Sequence, residues 1–287
     1  MAQITLQNVT YRYGVGTPFE KTALRDINLT FTPECITGII GHTGSGKSTL
    51  AQLLNGLLAP TEGKILMDGK DVGTDAKERV QMRYRTGLVF QYPEYQLFEE
   101  TVEKDIAFGP KNKKLPPEEV RRLVLESARF CGIDESLLQT SPFDLSGGQK
   151  RRVAIAGILA MDPDVIVLDE PAAGLDPAGK NEILSRLKKY QRETKKTILF
   201  ISHSMEDIAR FADEILVLQK GTVLMHDTTK KVFENASQLE EAGVLLPEIT
   251  RLMQHLKNRG VPVPSGIVSP ADAAAAIASL WKENAPC

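Results

Sequence analysis

Residues 35–49, CITGIIGHTGSGKST, join a short β-branched run to a glycine-rich loop. The loop fits the pattern G-x-x-x-x-G-K-[ST], and it lies between a predicted buried strand and a predicted helix, the context that this pattern requires. Gly44 and Gly46 allow the backbone to turn so that successive N–H groups face a phosphate. We expect Lys47 to reach β- and γ-oxygens and Ser48 to ligate Mg²⁺. The predicted nucleotide-binding residues of the loop are Gly41, His42, Thr43, Gly44, Ser45, Gly46, Lys47, Ser48 and Thr49.

A second run, VIVLDEP at 165–171, ends in two adjacent carboxylates. Asp169 follows an apolar strand, and α/β folds place their ligands at this end of a strand, so we expect it to hold Mg²⁺ through water. Glu170 is then positioned to orient and deprotonate an attacking water. Adjacent carboxylates at a strand end also occur as ordinary solvated corners. Their combination with the phosphate loop favours the catalytic interpretation.

Two more polar residues follow predicted strands. His203 ends KTILFISH, and we expect it to contact the γ-phosphate and the region of Glu170. A histidine after a strand is more often structural, and only the shared sheet edge favours a functional role. Gln91 ends LVFQ and is expected to reach the metal or the water. The predicted catalytic residues are Lys47, Gln91, Glu170 and His203, and the predicted metal ligands are Ser48, Gln91 and Asp169.

Residues 144–160, DLSGGQKRRVAIAGILA, predict a helix with an unusual start. A serine cap and bare glycine backbone make a phosphate site, because free N–H groups and the helix dipole point at the anion. An ordinary capped helix would explain Ser146, but not two consecutive glycines where helix propensity is lost. The γ-phosphate of the chain's own loop is already surrounded on one side by Lys47, His203 and the metal. This helix is therefore not expected to serve it easily.

Strand and helix patterns alternate along the chain, which indicates an α/β core with an inserted helical piece. ITLQNVTYRY and ALRDINLTF predict two strands joined by a Gly/Pro-bearing loop. DVIVLDE and KTILFISH are apolar runs typical of buried parallel strands. Strand pairs or hairpins are predicted around Asp68-Gly69 and Lys220-Gly221.

Helical patterns fill much of the remaining sequence. STLAQLLNGLLAP predicts a helix that Pro60 ends, and residues 92–140 are helical and polar. Within them, PPEEVRRLVLESARFCG is amphipathic and closes at Gly132. After about Val232 the chain becomes a short helical tail.

Composition narrows the function classes. The chain has 287 residues with 35 Lys+Arg and 37 Asp+Glu, which gives no support to a nucleic-acid partner. Its three cysteines, Cys35, Cys131 and Cys287, form no C-x-x-C pair, which suits a reducing compartment and argues against disulfides and zinc. The N-terminus does not resemble a signal peptide. No apolar run approaches the ~18 residues that span a bilayer. We therefore expect a soluble protein that meets membranes through partners only.

The motifs together resemble a known family. The phosphate loop, Gln91, LSGGQKRR, VIVLDEP, AGLDP and SH occur in the order and spacing of the nucleotide-binding domain of ABC-type ATPases, over about residues 4–232. The resemblance implies a P-loop NTPase of α/β class, with a RecA-like mostly parallel core, an antiparallel β subdomain and an inserted helical subdomain at about 93–152. It implies ATP and Mg²⁺ as cofactors. It places the ABC domain at 1–235 and a small helical extension at 236–287.

The same resemblance assigns further residues. Tyr13 would stack on adenine, and Tyr11, two residues away on the same strand face, is the alternative. The tip of the LSGGQ helix would close over ATP held by a second subunit, head to tail, with Asp176 of AGLDP at the same seam. This tip consists of Ser146, Gly147, Gly148 and Gln149. Two ATP molecules would then hold two ATPase domains together, and hydrolysis would loosen them.

Finer features are similar to the ATPases of energy-coupling factor (ECF) transporters, prokaryotic importers of vitamins and metal ions. These features are GVGTPFEKTAL, FQYPEYQLFEETVEKDIAFGP, RRVAIAGILAMDP and the C-terminal tail. The GTPFE loop and GHTGSGKST look more like the second ATPase, A-prime. Ala172 departs from the Thr or Ser of many relatives.

The ECF resemblance also implies partners and a location. The implied partners are a homologous ATPase in a heterodimer, a membrane scaffold T component and a substrate-binding membrane S component. The chain would be peripheral, at the cytoplasmic face of the cell membrane. The cargo is not identifiable from the chain, nor is whether the second ATPase is a different chain or a second copy.

Two segments allow alternative interpretations. PEYQLF at 93–98 would line a groove for a helix of the membrane subunit, or belong to the core of the helical insert. EITRLMQHLKN at 248–258 would pack on the partner ATPase, which the resemblance favours, or on its own domain.

Other function classes fit the sequence less well. The main alternative is another ABC importer, for example for cobalt or nickel. DNA-repair ABC proteins carry coiled-coil or zinc insertions, and translation factors carry two ATPase domains, and this sequence has neither. Glu170 and His203 argue against a regulator that binds ATP without hydrolysing it.

Overall fold

A computed structural model describes residues 2–283 of the chain, with side chains over residues 2–280. Cys287 lies outside these residues. The strands are β1 (Ile4–Tyr13), β2 (Lys21–Thr30), β3 (Ile36–Ile40), β4 (Glu62–Met67), β5 (Lys70–Asp71), β6 (Thr86–Val89), β7 (Val165–Asp169), β8 (Thr197–Ile201), β9 (Glu214–Gln219) and β10 (Thr222–Thr228). The helices are α1 (Lys47–Leu54), α2 (Ala76–Arg85), α3 (Val102–Asn112), α4 (Pro117–Cys131), α5 (Gly147–Leu159), α6 (Pro177–Thr194), α7 (Met205–Phe211), α8 (Thr229–Glu234), α9 (Ala236–Glu241), α10 (Glu248–Asn258) and α11 (Pro270–Glu283).

The described strands form two sheets. A four-stranded antiparallel sheet has the order β2-β1-β4-β5, and a six-stranded sheet has the order β10-β9-β3-β8-β7-β6. In the six-stranded sheet every pair is parallel except β9 with β10, which form the predicted hairpin through Lys220 and Gly221. The predicted combination of a mostly parallel core and an antiparallel sheet is therefore confirmed.

The parallel strands are buried on both faces, as their continuous apolar sequences predicted. In β7, Ile166 packs into one hydrophobic cluster with the helical insert, whereas Val167 packs into a second cluster. That second cluster joins the six-stranded sheet to the antiparallel sheet and to α1, through residues such as Leu24 and Leu53. The six-stranded sheet thus lies between the two hydrophobic clusters, and predicted functional residues such as Asp169 lie where its strands end.

The first helix is shorter than predicted. We expected Pro60 to end it, but α1 ends at Leu54. Gly56 follows with φ +74, a left-handed conformation that glycine adopts without strain and that stops a helix. The helical pattern beyond this glycine, Leu57 and Leu58, is therefore outside the helix.

The helical insert contains the amphipathic helix that the sequence predicted, as α4. It contains α3 and α4, then two short 3₁₀ helices, and it leads to α5. Gly132 closes α4 with φ +70, as the sequence predicted. The rings of Phe130 and Tyr190 meet edge to face, 5.0 Å between centroids, and join α4 to α6.

The C-terminal part of the chain packs in two ways. Phe233 and Leu239, in α8 and α9, are buried in the main hydrophobic cluster of the chain's own domain. Met253, Val263 and Ala273 form a separate small cluster that joins α10 to α11. The division at residues 235 and 236 stays a prediction. Within residues 2–283, no helix has both the length and the apolarity needed to cross a membrane.

Candidate active site

Four of the predicted functional segments meet at one edge of the six-stranded sheet. The glycine-rich loop follows β3, Asp169 ends β7, His203 comes two residues after β8, and Gln91 comes two residues after β6. These strands are neighbours and run parallel, so their carboxyl ends share an edge. The fold therefore brings residues from four distant parts of the chain together.

The three glycines of the loop all have positive φ, but the space around them differs. A β-carbon at Gly41 would lie 2.2 Å from the carbonyl oxygen of Leu218, and one at Gly46 would lie 2.5 Å from Cδ2 of Leu24. At Gly44, which has φ +80, a β-carbon would meet nothing within 4 Å. Gly41 and Gly46 are therefore required by the protein itself, whereas Gly44 faces open space.

The Lys47 side chain lies inside the loop rather than in solvent. The residue is 7% exposed, and its Nζ donates to the carbonyl oxygens of Gly41 at 2.7 Å and His42 at 3.2 Å. Burial lowers the pKa of Lys47, and the nearby carboxyl groups of Glu170 and Asp169 act in the opposite direction. A buried ammonium held by loop carbonyls fits phosphate oxygens as additional acceptors.

The residues predicted to bind Mg²⁺ offer oxygen donors. Ser48 hydrogen-bonds to the Asp169 carboxyl group, whose pKa burial raises while Ser48 and Lys47 lower it. Residues 2–283 contain no cluster of three His, Cys, Asp or Glu side chains that could hold a metal ion. Hydroxyl and carboxylate oxygens suit Mg²⁺, which takes its remaining ligands from phosphates and water. The donor set therefore fits Mg²⁺ together with a nucleotide.

Glu170 has an unusual backbone and an unusual side chain. Its φ is +54, and its N–H donates to the carbonyl oxygen of Ile201 on β8 at 3.1 Å. Burial first, and the charge of Asp169 second, raise the pKa of its carboxyl group to about 7. Its Oε1 is buried without a hydrogen-bond partner among the described residues. Such an unpaired buried acceptor is costly unless a ligand or water satisfies it, which fits a role toward water.

His203 lies beside this carboxyl group. Its Nε2 is 3.8 Å from Oε1 of Glu170, and its backbone N–H donates to the Glu170 carboxyl group. The His203 side chain is 60% exposed. Burial and the charge of Lys47 lower the pKa of His203, and the charge of Asp169 acts in the opposite direction. Gln91 is also exposed.

The two candidate aromatic residues differ in environment. Tyr13 is 41% exposed, and its hydroxyl is 3.1 Å from Oγ1 of Thr49 in α1. Tyr11 is partly buried against the second hydrophobic cluster. Their rings meet edge to face with centroids 4.8 Å apart. Tyr13 is therefore the more accessible of the two for a planar ligand, and the Tyr11 ring packs against the Tyr13 ring.

The tip of α5 has the predicted cap. Ser146 and Gln149 form a capping box, in which the Gln149 N–H donates to Ser146 Oγ at 3.3 Å and the Ser146 N–H donates to Gln149 Oε1 at 2.9 Å. Gly147 and Gly148 have open space around the position of a β-carbon. Asp176 caps α6 by accepting from the Gly179 N–H at 3.3 Å. Ser146, Gly147 and Asp176 are exposed, so the tip is accessible to another molecule.

Sequence reasoning missed one buried pair next to this site. Arg151 of α5 is 2% exposed and forms an ion pair with Glu94. The available signal was an arginine in an otherwise apolar helix face, but its partner is distant in sequence.

Comparison with known proteins identifies the class of protein that this fold and site define. A family model described as "ABC transporter" matches residues 24–173. The dimeric ATP-binding cassette MJ0796, solved in a post-hydrolysis state bound to ADP and Pi, is 32% identical and superposes with a TM-score of 0.69 over 78% of this chain and 98% of that chain. The chain therefore belongs to the ABC transporter ATPases, which confirms the predicted fold and family.

More similar relatives define the particular branch. A protein of Caldanaerobacter subterraneus subsp. tengcongensis, named energy-coupling factor transporter ATP-binding protein EcfA2, is 53% identical over 93% of both chains. The structure of cbiO1 from Clostridium perfringens, described as part of the ABC transporter complex cbiONQ, is 39% identical with a TM-score of 0.74 over 88% of this chain and 98% of that chain. The chain belongs to the family of energy-coupling factor transporter ATP-binding proteins.

Proposed function

We propose that this chain is the subunit of an ECF-type importer that binds and hydrolyses ATP to drive uptake of a vitamin or other micronutrient. The observation that carries the proposal is the convergence of Lys47, Asp169, Glu170 and His203 at one sheet edge. A cation, a metal-binding carboxylate, a buried carboxylate and an imidazole are the groups that phosphoryl transfer to water requires.

Each side chain has a distinct part in this proposal. Lys47 and the loop N–H groups bind the β- and γ-phosphates, and Tyr13 stacks on the adenine. Ser48, Asp169 and Gln91 hold Mg²⁺, which when bound neutralises phosphate charge and orients the phosphates. Glu170 orients the attacking water and accepts its proton. His203 contacts the γ-phosphate and keeps the Glu170 carboxyl group in place.

Hydrolysis is proposed to need two chains. Ser146, Gly147, Gly148 and Gln149 bind the γ-phosphate of ATP held by a second ATPase subunit, with Asp176 at the same seam. The exposed capping box of this chain and the dimeric state of the related MJ0796 cassette support this arrangement. A ligand bound only in the closed pair shifts the equilibrium toward closure, and its hydrolysis reverses the shift.

A groove beside the Gln91 loop is the proposed contact with a membrane subunit. A cavity of about 250 Å³ lies between the loop and helices α3 and α5. Phe98 is 58% exposed and Phe108 43%, and their rings meet edge to face at 4.8 Å. Aromatic side chains around a cavity are typical anchors for a partner helix. We infer that a helix of the T component binds here, since Gln91 lies in the same loop.

The remaining partners are part of the same proposal. A homologous ATPase forms a heterodimer with this chain, and an S component captures the substrate. The chain is then peripheral at the cytoplasmic face of the membrane and contacts the membrane through its partners only.

A second candidate is the ATPase of another ABC importer, for example one for cobalt or nickel. The observation that favours it is the 39% identity to cbiO1 of the cbiONQ complex. The two candidates differ in the membrane subunits and in the cargo, not in the ATPase chemistry.

One purification experiment tests both candidate functions. The chain, with an affinity tag, is isolated from its native host in detergent, and co-purifying proteins are identified by mass spectrometry. The proposal predicts a second ATPase, a T component and one or more S components, and ATP hydrolysis that Lys47→Ala abolishes. A complex with subunits of a different importer would favour the second candidate. A chain that hydrolyses no ATP, alone or with its companions, would contradict both.

A further inference from the structure

Arg151 forms a bidentate ion pair with Glu94, and neither residue has a role in the proposed site. Its Nε donates to Oε2 of Glu94 at 3.0 Å, and its Nη2 donates to Oε1 at 2.8 Å. The Arg151 side chain is 3% exposed and that of Glu94 is 16% exposed. A fork-to-fork contact out of water fixes both position and orientation, which a surface ion pair does not.

The remaining guanidinium nitrogen of Arg151, Nη1, contacts the turn that follows Glu170. Nη1 of Arg151 donates to the carbonyl oxygen of Ala173. The N–H of Ala173 in turn donates to the carbonyl oxygen of Glu170 at 3.1 Å. Arg151 therefore holds the turn that starts at the candidate water-activating residue.

Glu94 belongs to the segment that carries Gln91. It lies in a 3₁₀ helix over Pro93–Gln96, which starts after Tyr92, a residue with φ +56. A β-carbon at Gly174 would lie 3.9 Å from Cε1 of Tyr92, so the Gln91 segment lies close to the turn after Glu170. The buried Arg151 side chain thus links the Gln91 segment and the turn after Glu170 to each other and to helix α5.

We propose that Arg151 is a positioning residue that transmits engagement of the α5 tip to Gln91 and Glu170 of the same chain. Arg151 follows Ser146 on the same helix, within about 1.5 turns. A movement of the tip toward a partner's nucleotide therefore moves the guanidinium, and with it the two loops. This inference rests on the proposed function, because it assigns a coupling to the two sites named there.

Arginine is required for this role by its geometry. Three of its N–H groups are used on two acceptor residues in different loops, and a lysine ammonium lacks the planar fork that spans them. Lys in place of Arg151 keeps the charge near Glu94 but loses the bidentate contact. Gln in place of Glu94 leaves an acceptor for Arg151 and keeps its bond to Ala173.

The test compares Arg151→Lys, Arg151→Met and Glu94→Gln in the full-length chain. Arg122→Lys is the matched control, since Arg122 also forms a two-partner ion pair, with Glu119 and Glu126, but on the exposed face of α4. We measure kcat and KM for ATP, thermal unfolding, and hydrogen–deuterium exchange of residues 92–96 and 172–176 without nucleotide.

The proposal predicts a split between turnover and binding. Arg151→Lys should lower kcat about 10- to 100-fold, the cost of a small misplacement of catalytic groups, with KM within about twofold. Exchange should rise in both segments together in Arg151→Lys and Arg151→Met. Glu94→Gln should have a smaller effect in the same direction, and Arg122→Lys should have none.

An unchanged kcat in both Arg151 variants would overturn the inference, and so would a raised KM at unchanged kcat. Faster exchange spread over the whole chain would mark a structural role only and would overturn it as well. Failure of the proposed function is distinguishable, because a wild-type chain without ATPase activity leaves the exchange measurement intact. Exchange that rises in only one of the two segments also overturns the coupling.

Discussion

The Nε2 atom of His203 lies 3.8 Å from the Oε1 atom of Glu170, although the two residues follow different strands. The parallel pairing of β7 with β8 sets this distance, because Asp169 pairs with Ile201 at the end of the register. The Glu170 backbone then turns to φ +54 and directs its carboxyl group toward the His203 loop. An imidazole with a lowered pKa and a carboxyl group with a raised pKa are thus placed side by side at the sheet edge.

Glu170→Gln should separate ATP binding from hydrolysis. The amide keeps the size of the side chain but does not accept a proton from water. We expect turnover to fall about 10²- to 10⁴-fold, the span for a positioned acid–base group. ATP binding should be retained, and the nucleotide-bound pair should accumulate. Steady-state hydrolysis, a nucleotide-binding titration and size-exclusion chromatography measure the three effects.

A matched control for this change is Glu206→Gln, an exposed glutamate in the first turn of α7. It should leave turnover within about twofold, as expected for an exposed surface substitution. Equal turnover in wild type and Glu170→Gln would show that another group activates the water.

Gly44→Ala and Gly46→Ala should differ in stability. Both positions have positive φ, so each alanine adds about 1–2 kcal/mol of backbone strain. At Gly46 the methyl group also meets Leu24 at 2.5 Å and the Ala23 carbonyl oxygen at 2.9 Å, so about 1–3 kcal/mol of overpacking is added.

Denaturant unfolding and nucleotide titration of the two variants test this difference. Gly44→Ala should remain folded and yet bind ATP at least about 10-fold more weakly, because its methyl group occupies the open space of the phosphate loop. Equal unfolding free energies for the two variants would contradict the assignment of separate roles.

Gly147→Ala should stabilise the chain and impair its function. The added methyl group meets nothing within 4 Å, and alanine favours a helix by about 0.5–1 kcal/mol over glycine. Unfolding temperature should therefore stay equal or rise, while hydrolysis by the paired chains falls at least about tenfold. Ser185→Ala, an exposed helical position of α6, is the control with a similar helix effect and no loss of hydrolysis. Full activity of Gly147→Ala would place the tip away from any phosphate.

Phe98→Asp should weaken assembly with the membrane subunit. A buried aromatic anchor at an interface contributes about 2 kcal/mol or more, so recovery of the T component in co-purification should fall by at least about 10-fold. Val80→Asp changes another exposed apolar residue, on α2, and should have no such effect. Thermal unfolding of both variants checks that the fold is intact. Normal recovery with Phe98→Asp would remove the groove from the proposal.

The phosphate loop and the buried strands could be predicted because their signals are local. The glycine pattern specifies the turn, and the continuous apolar runs specify strands covered on both faces. The capping box at Ser146 is likewise written in four successive residues. The meeting of Asp169, His203 and Gln91 was expected because each follows a predicted strand at the same end, whereas the order of the strands in the sheet was not predicted.

Other features depend on contacts that local patterns do not contain. Helix α2 was not predicted: only Met82 of its residues is buried, so it lacks an apolar periodicity, and the local cap signal at Asp75 was missed. The early end of α1 depends on the backbone of Gly56. The pair of Arg151 and Glu94 joins residues from separate segments, and only the folded helical insert brings them together.

Completion of the nucleotide site by a second chain is the central feature of the proposed mechanism. Its most direct test is a structure of the Glu170→Gln chain, with its ATPase partner, bound to ATP and Mg²⁺. We predict a hydrogen bond of about 3 Å between Ser146 Oγ and the γ-phosphate of the nucleotide bound by the partner subunit. A Ser146 tip that contacts the nucleotide on its own Lys47, or that lies more than about 10 Å from every triphosphate, well beyond hydrogen-bond reach, would contradict the account.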